Sequence, residues 1–205
     1  MIRSVGKLIN FQKNAIQLLQ SKNRNVEARK LWGWLNTVFN KVDPERIKEV
    51  GPDRAAAEWL IRCGASVKWK DIDKWQIDYN TLPTGNFQRY KIEEIDATDS
   101  SVMYVGFPHL KNLNYLKRIK FHNCSYLNDE GLEMLDLVKD TLEHLEITSC
   151  GNVTNKGLTP LKNLKNLKYL LLFDLPEIVN REACVEDLRN SLPGCEIHFP
   201  APEKQ

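Results

Sequence analysis

Apolar positions recur in this chain on two periods, and the change of period divides it. From residue 31 to 64 the spacing is helical: Trp32, Leu35, Val38 and Phe39 fall three and four residues apart, and Ala55, Trp59 and Leu60 form a second stripe. The punctuation agrees. Asp43 can cap a helix that Pro44 opens, Gly51 can end it, and Pro52 with Asp53 can begin another, where an acid suits the positive dipole end. Gly64, after Cys63, is placed for a left-handed C-cap. Beyond residue 66 the pattern becomes x-L-x-L-x, in strand-length runs each followed by a turn.

Those runs repeat. Residues 116–135 (LKRIKFHNCSYLNDEGLEML) and 142–161 (LEHLEITSCGNVTNKGLTPL) match at Leu116/Leu142, Cys124/Cys150, Gly131/Gly157, Leu132/Leu158 and Leu135/Leu161, a period of 26. A third copy starts at Leu167 and an earlier one at Ile92; a degenerate one is readable from Val67 and Trp69. A period in the twenties with this leucine pattern predicts an α/β leucine-rich-repeat solenoid, with parallel strands in front and short helices behind. The expected organisation is a basic leader over 1–30, a small all-helical N-terminal domain over 31–66 that caps the open core, and a repeat domain over 67–205.

Strand alternation predicts which side chains face outward: Glu94, Asp96 and Thr98; Arg118, Lys120 and His122; His144, Glu146 and Thr148; then Tyr169, Leu171 and Phe173. Lateral charge pairing is expected across the first rungs. The last rung puts three large apolar groups on a nominally solvated surface, so residues 176–205 or a partner should cover them. Arg118, Lys120, His122, Tyr169, Leu171 and Phe173 are therefore the candidate partner-binding residues. Cys124 and Cys150 should stack at the turn, where packing competes with a redox role for Cys124.

Charge changes the picture at the start of the chain. Residues 1–30 hold seven basic side chains and one acid, Glu27, and the net charge of +2 leaves about −4 for the remainder. A basic, nearly acid-free, amphipathic start is the pattern of a mitochondrial presequence. The body lacks the basic surface of a nucleic-acid binder. Five cysteines without metal-like spacing fit reduced thiols. No run of about 18 apolar residues exists for a membrane span. Phosphate-binding, dinucleotide, zincin and hydrolase motifs are all missing, and the four histidines do not cluster. A non-enzymatic binding protein is expected.

The stretches WGWLNTVFNKVDPERIKEVGPDRAAAEWLIRCGA (32–65), YNTLPTG (79–85), IDATDSSVM (95–103) and ITSCGNVTNKGL (147–158) together resemble the coupling factor B family, the subunit s family of mitochondrial ATP synthase. The resemblance implies a protein peripheral to the matrix side of the mitochondrial inner membrane. It implies partners among the ATP synthase membrane-sector subunits, and a role in sustaining proton-driven ATP synthesis by limiting proton leak. Contact with the inner-membrane surface and self-association are compatible with it. It further implies a structural magnesium ion, Mg2+, on backbone carbonyls at Gly64 and Thr98, oxygen ligands of the kind a hard cation prefers. The family's Cys-x-Cys dithiol is here His122-Asn123-Cys124, so a vicinal-dithiol mechanism has only one of its cysteines. Two other readings stay open: an assembly factor for the membrane arm of complex I, and an F-box-like leucine-rich-repeat adaptor.

Overall fold

The computed structural model describes residues 26–201, with side chains from Gly33 onward. The leader expected over 1–30 lies outside the described residues except for positions 26–30, which begin helix α1 (Val26–Asn40). Helix α2 (Pro44–Val50) starts as its sequence requires: the Asp43 side chain accepts from Arg46 N, and Pro44 stands at the first position. Gly51, at φ 84°, ends α2 and leads into α3 (Pro52–Arg62). Helix α3 is buried on almost every side, Ala55, Ala56, Ala57, Trp59 and Leu60 included.

The apolar stripe expected on α1 is only part of the face it buries. Leu35 and Phe39 are half-buried, with Phe39 against the core, but Val38 is exposed and Asn36 and Asn40 are the buried positions. Asn40 is fully buried and spends its whole amide. Its Nδ2 donates to Asn36 O at 2.8 Å and Ser101 O at 2.9 Å, and its Oδ1 accepts from Trp59 Nε1 at 3.0 Å and Met103 N at 2.8 Å. One side chain thus joins α1, α3 and the loop after the first repeat strand, an arrangement stable only because every polar atom is satisfied.

Among the described residues, seven strands form one sheet in the order β2-β1-β3-β4-β5-β6-β7. They are β1 (Ser66–Trp69), β2 (Trp75–Gln76), β3 (Ile92–Asp96), β4 (Arg118–His122), β5 (His144–Thr148), β6 (Tyr169–Phe173) and β7 (Glu196–His198). From β3 to β7 all pairings are parallel, and Ile119 sits beside Leu145, which sits beside Leu170. The rung expected at Val67 and Trp69 differs. Strand β1 is antiparallel to both β2 and β3. A parallel pair needs a crossover behind the sheet, whereas residues 70–91 form a hairpin and two single 3₁₀ turns.

The 26-residue match is visible as matched local structure. Asn128 caps α4 (Asp129–Glu133) by accepting from Gly131 N, and Thr154, 26 residues on, caps α5 (Asn155–Leu158) by accepting from Lys156 N. Asn123 and Ser149 directly follow their strands in the left-handed region, both at φ 53°, with Asp99 and Asp174 alike. There each of the first three amides donates to the next strand: Asp99 N to His122 O, Asn123 N to Thr148 O, and Ser149 N to Phe173 O, at 2.9–3.0 Å. Short polar residues tolerate this conformation best. Behind the strands, short 3₁₀ helices (Tyr104–Leu110, Met134–Val138, Thr159–Asn163) carry most of the return path. Helix α6 (Arg181–Ser191) and β7 end the described chain. The buried core is continuous from Ala56 in α3 to Ile197 in β7.

Candidate functional site

The sheet face opposite the 3₁₀ turns is a grid whose rows run across the strands. One row is Lys68, Glu94, Arg118, His144, Tyr169, Glu196; the next is Ser66, Asp96, Lys120, Glu146, Leu171, His198. A third holds His122, Thr148 and Phe173. The sequence alternation thus brings the predicted partner-binding residues onto one surface.

Their states differ. Glu94 accepts an ion pair from Arg118 at 3.4 Å and from Lys68 at 3.7 Å, and Lys68 also meets Asp73 at 2.7 Å. Lys120 pairs with Asp96 at 3.8 Å. Arg118 and Lys120 are thus engaged within the sheet, each in a half-exposed pair that adds little stability. His122 is half-buried, with Nδ1 2.7 Å from Thr148 Oγ1. Thr148 was expected to face solvent; it is 8 % exposed, because its hydroxyl is drawn down onto His122 and the Phe121 carbonyl while Phe173 stands beside it. Tyr169, Leu171 and Phe173 are half-buried. Among the described residues the C-terminal segment does not lie over them. It extends the sheet, setting Glu196 beside Tyr169 and His198 beside Leu171. The Tyr169 ring lies between His144 at 6.1 Å and His198 at 5.5 Å. Strand β7 gave a weak sequence signal, a three-residue alternation around Ile197 behind the Pro193-Gly194 turn.

Cys124 is fully buried, and its thiol donates to the Ala97 carbonyl at 2.8 Å. Cys150 is stacked one rung on and donates to Thr148 O at 3.3 Å. The neighbouring Cys124 sulfur, together with burial, holds the Cys150 proton well above the ordinary thiol range. Burial pushes Cys63 up to about 12. Cys124 itself is drawn below the ordinary thiol range by the Cys150 thiol, against the opposing effect of burial, but all three sulfurs are buried and lack the accessible setting of a reactive thiol.

Gly64 lies at the junction of helices and sheet, beside the loop that follows Thr98. Gly64 takes φ 89°, and a Cβ built on it would lie 4.0 Å from Asp99 O. The Thr98 amide and hydroxyl both donate to Asp96 Oδ1. Among the described residues neither the Gly64 nor the Thr98 carbonyl accepts a hydrogen bond, so both oxygens are free for a hard cation, and the donor type fits magnesium. No group of three or more His, Cys, Asp or Glu among the described residues could hold a metal. The junction is tied without an ion: Ser101 donates to Cys63 O through its amide at 2.8 Å and its hydroxyl at 3.2 Å. No described helix is long and apolar enough to cross a membrane.

No family model matches the chain. It is 49% identical over 174 residues to "ATP synthase subunit s, mitochondrial" of Homo sapiens, which covers 83% of this chain and 87% of the human one. The Rattus norvegicus protein of that name is 48% identical over 195 residues, 93% of this chain and 98% of its own. A more distant relative is the Drosophila melanogaster protein "Distal membrane arm assembly component 2", 30% identical over 159 residues, 75% of this chain and 56% of that one.

Proposed function

The chain belongs to the mitochondrial ATP synthase subunit s family, and from that premise we propose that it is a non-enzymatic accessory component of mitochondrial ATP synthase. In this reading it sits peripherally on the matrix side of the inner membrane, binds membrane-sector subunits and supports coupling by limiting proton leak. The observation that carries it is the near-half identity sustained over more than four-fifths of the chain. The architecture is read as a leucine-rich-repeat solenoid over 67–205, capped by a helical unit over 31–66. The stacked 26-residue units and their matched caps support this. The sheet face carrying Arg118, Lys120, His122, Tyr169, Leu171 and Phe173 is read as the docking surface, and Cys124 as structural.

A structural magnesium at the Gly64 and Thr98 carbonyls belongs to the same proposal. When bound it would bridge the two carbonyls and so pin the helices to the sheet, while Ser101 and Asp96 hold the two loops in place. Millimolar magnesium should then raise the melting temperature, as a ligand of the native state must. A melting temperature unchanged by magnesium would count against the site.

Native gels of gently solubilised mitochondria carrying tagged protein test the main reading. Co-migration with ATP synthase, and increased proton leak on depletion, is the expected result. The fly relative favours a second reading, assembly of the complex I membrane arm. Co-migration with complex I intermediates alone would replace the first reading with it.

A further inference from the structure

Charges on the sheet face cancel in neighbouring pairs until β5, and one is left over. Glu94 is held by Lys68 and Arg118, and Asp96 by Lys120. Glu146 lies next in that row with no ion pair within 4.0 Å among the described residues, since its in-register neighbour Lys120 is turned to Asp96. On its other side stands Leu171, with Tyr169 and Phe173 above and below on the same strand. A half-buried carboxylate at the margin of an apolar patch is tolerable only while water reaches it. A partner that covers the patch strips that water, and must then replace it with a charge of opposite sign or leave the ion buried and unpaired.

We infer that the border between Glu146 and the Tyr169–Leu171–Phe173 patch receives a polypeptide segment bearing an arginine or lysine beside an apolar side chain. The cation takes Glu146, and the apolar group takes Leu171 one strand spacing away, about 5 Å. An acidic segment is repelled, a neutral apolar one orphans the carboxylate, and an anionic lipid surface meets a charge of its own sign. The inference deepens the reading of this face as a docking surface and names the chemistry of the partner.

The full chain would be titrated by fluorescence polarisation with three labelled twelve-residue peptides of alternating Arg/Leu, Glu/Leu and Arg/Ser. The Arg/Leu peptide should bind at least tenfold more tightly than either other. Glu146→Gln should remove that preference, Glu146→Lys should transfer it to the Glu/Leu peptide, and Leu171→Ser should weaken Arg/Leu binding about tenfold. Glu130→Gln, an exposed acid off this face, should change nothing. Circular dichroism checks that each variant is folded. Equal binding of Arg/Leu and Arg/Ser, a preference that survives Glu146→Gln, or no binding at millimolar peptide overturns the inference. So does a Leu171→Ser effect seen only as lost self-association in sedimentation, or only as lost binding to phosphatidylserine vesicles. None of these readouts involves ATP synthase, so a failed co-migration on native gels would be a separate result.

Discussion

At the scale of single residues, buried polar groups divide into those that are satisfied and two that have no partner among the described residues, the Trp69 indole N–H and His109. Asn40 is the first kind. Asn40→Leu keeps the volume but orphans the Trp59 indole N–H, the Met103 amide and two carbonyls, so chemical denaturation should show a loss of about 3 kcal/mol. His109 is the second kind. It is buried, stacked on Trp59 at 5.3 Å, and neither ring nitrogen has a hydrogen-bond partner among the described residues. Burial pushes its pKa from 6.5 down to about 4, an effect the nearby Lys41 backbone only partly offsets. The unfolded chain therefore takes up the proton first. Stability is complete above pH 6.5 and falls by about 3 kcal/mol as pH drops toward 4. His109→Phe should flatten that profile and, by removing two orphaned atoms, raise stability by about 1 kcal/mol at pH 7. A profile unchanged by His109→Phe would assign the acid sensitivity elsewhere. Glu58 is the alternative: burial works to raise its pKa, but Arg46 and Arg54 outweigh it and hold it low, so it too loses stability in acid.

At the scale of elements, small residues fix how closely one layer approaches the next. A Cβ on Gly106 would stand 2.4 Å from Trp59 Nε1, which Asn40 and His109 hold in place. Gly106→Ala should cost about 2 kcal/mol by overpacking, with a shifted tryptophan emission. Between rungs, the Asp129 carboxylate accepts from the Thr154 amide at 2.8 Å and hydroxyl at 2.6 Å, joining the α4 and α5 turns. A Cβ on Gly157 would press on that carboxylate and on the Asp129 backbone. The Gly131/Gly157 match was legible as a repeat feature; its reason was not, because it lies in the neighbouring rung. The polar inner face of α1 was illegible for the same cause. Asn36 and Asn40 read as surface residues until the loop at Ser101–Met103 is brought against them. The sheet ends also differ from a simple repeat. Arg189 Nη2 reaches Ile197 O at 3.5 Å and Arg181 donates to Pro200 O at 3.0 Å, so side chains occupy carbonyls that an added strand would seek.

For the whole molecule, one continuous core predicts one accessibility pattern for its five thiols. Cys63, Cys124 and Cys150 are buried, while Cys184 and Cys195 are partly open. Titration of the native protein with a thiol reagent should modify Cys184 first, Cys195 more slowly because burial and Glu196 push its pKa up to about 11, and the other three only at the rate of unfolding. Fast modification of Cys124 would support a redox role for it. The strand-to-strand period, the buried set Ile119, Phe121, Leu145, Ile147, Leu170 and Leu172, the cap at Asp43, and the side chains that share the outer face could all be read from the residues alone. Each of these follows from chain-local spacing, since alternation and capping act over a few residues. Only the tertiary structure decided that β1 runs antiparallel, that β7 continues the sheet rather than covering it, and that Thr148 is buried. It alone decided which charges on the face are already spent and which one, Glu146, is not. Those outcomes depend on side chains about 24 to 30 residues apart meeting across neighbouring strands, and such partners are fixed by packing, not by pattern.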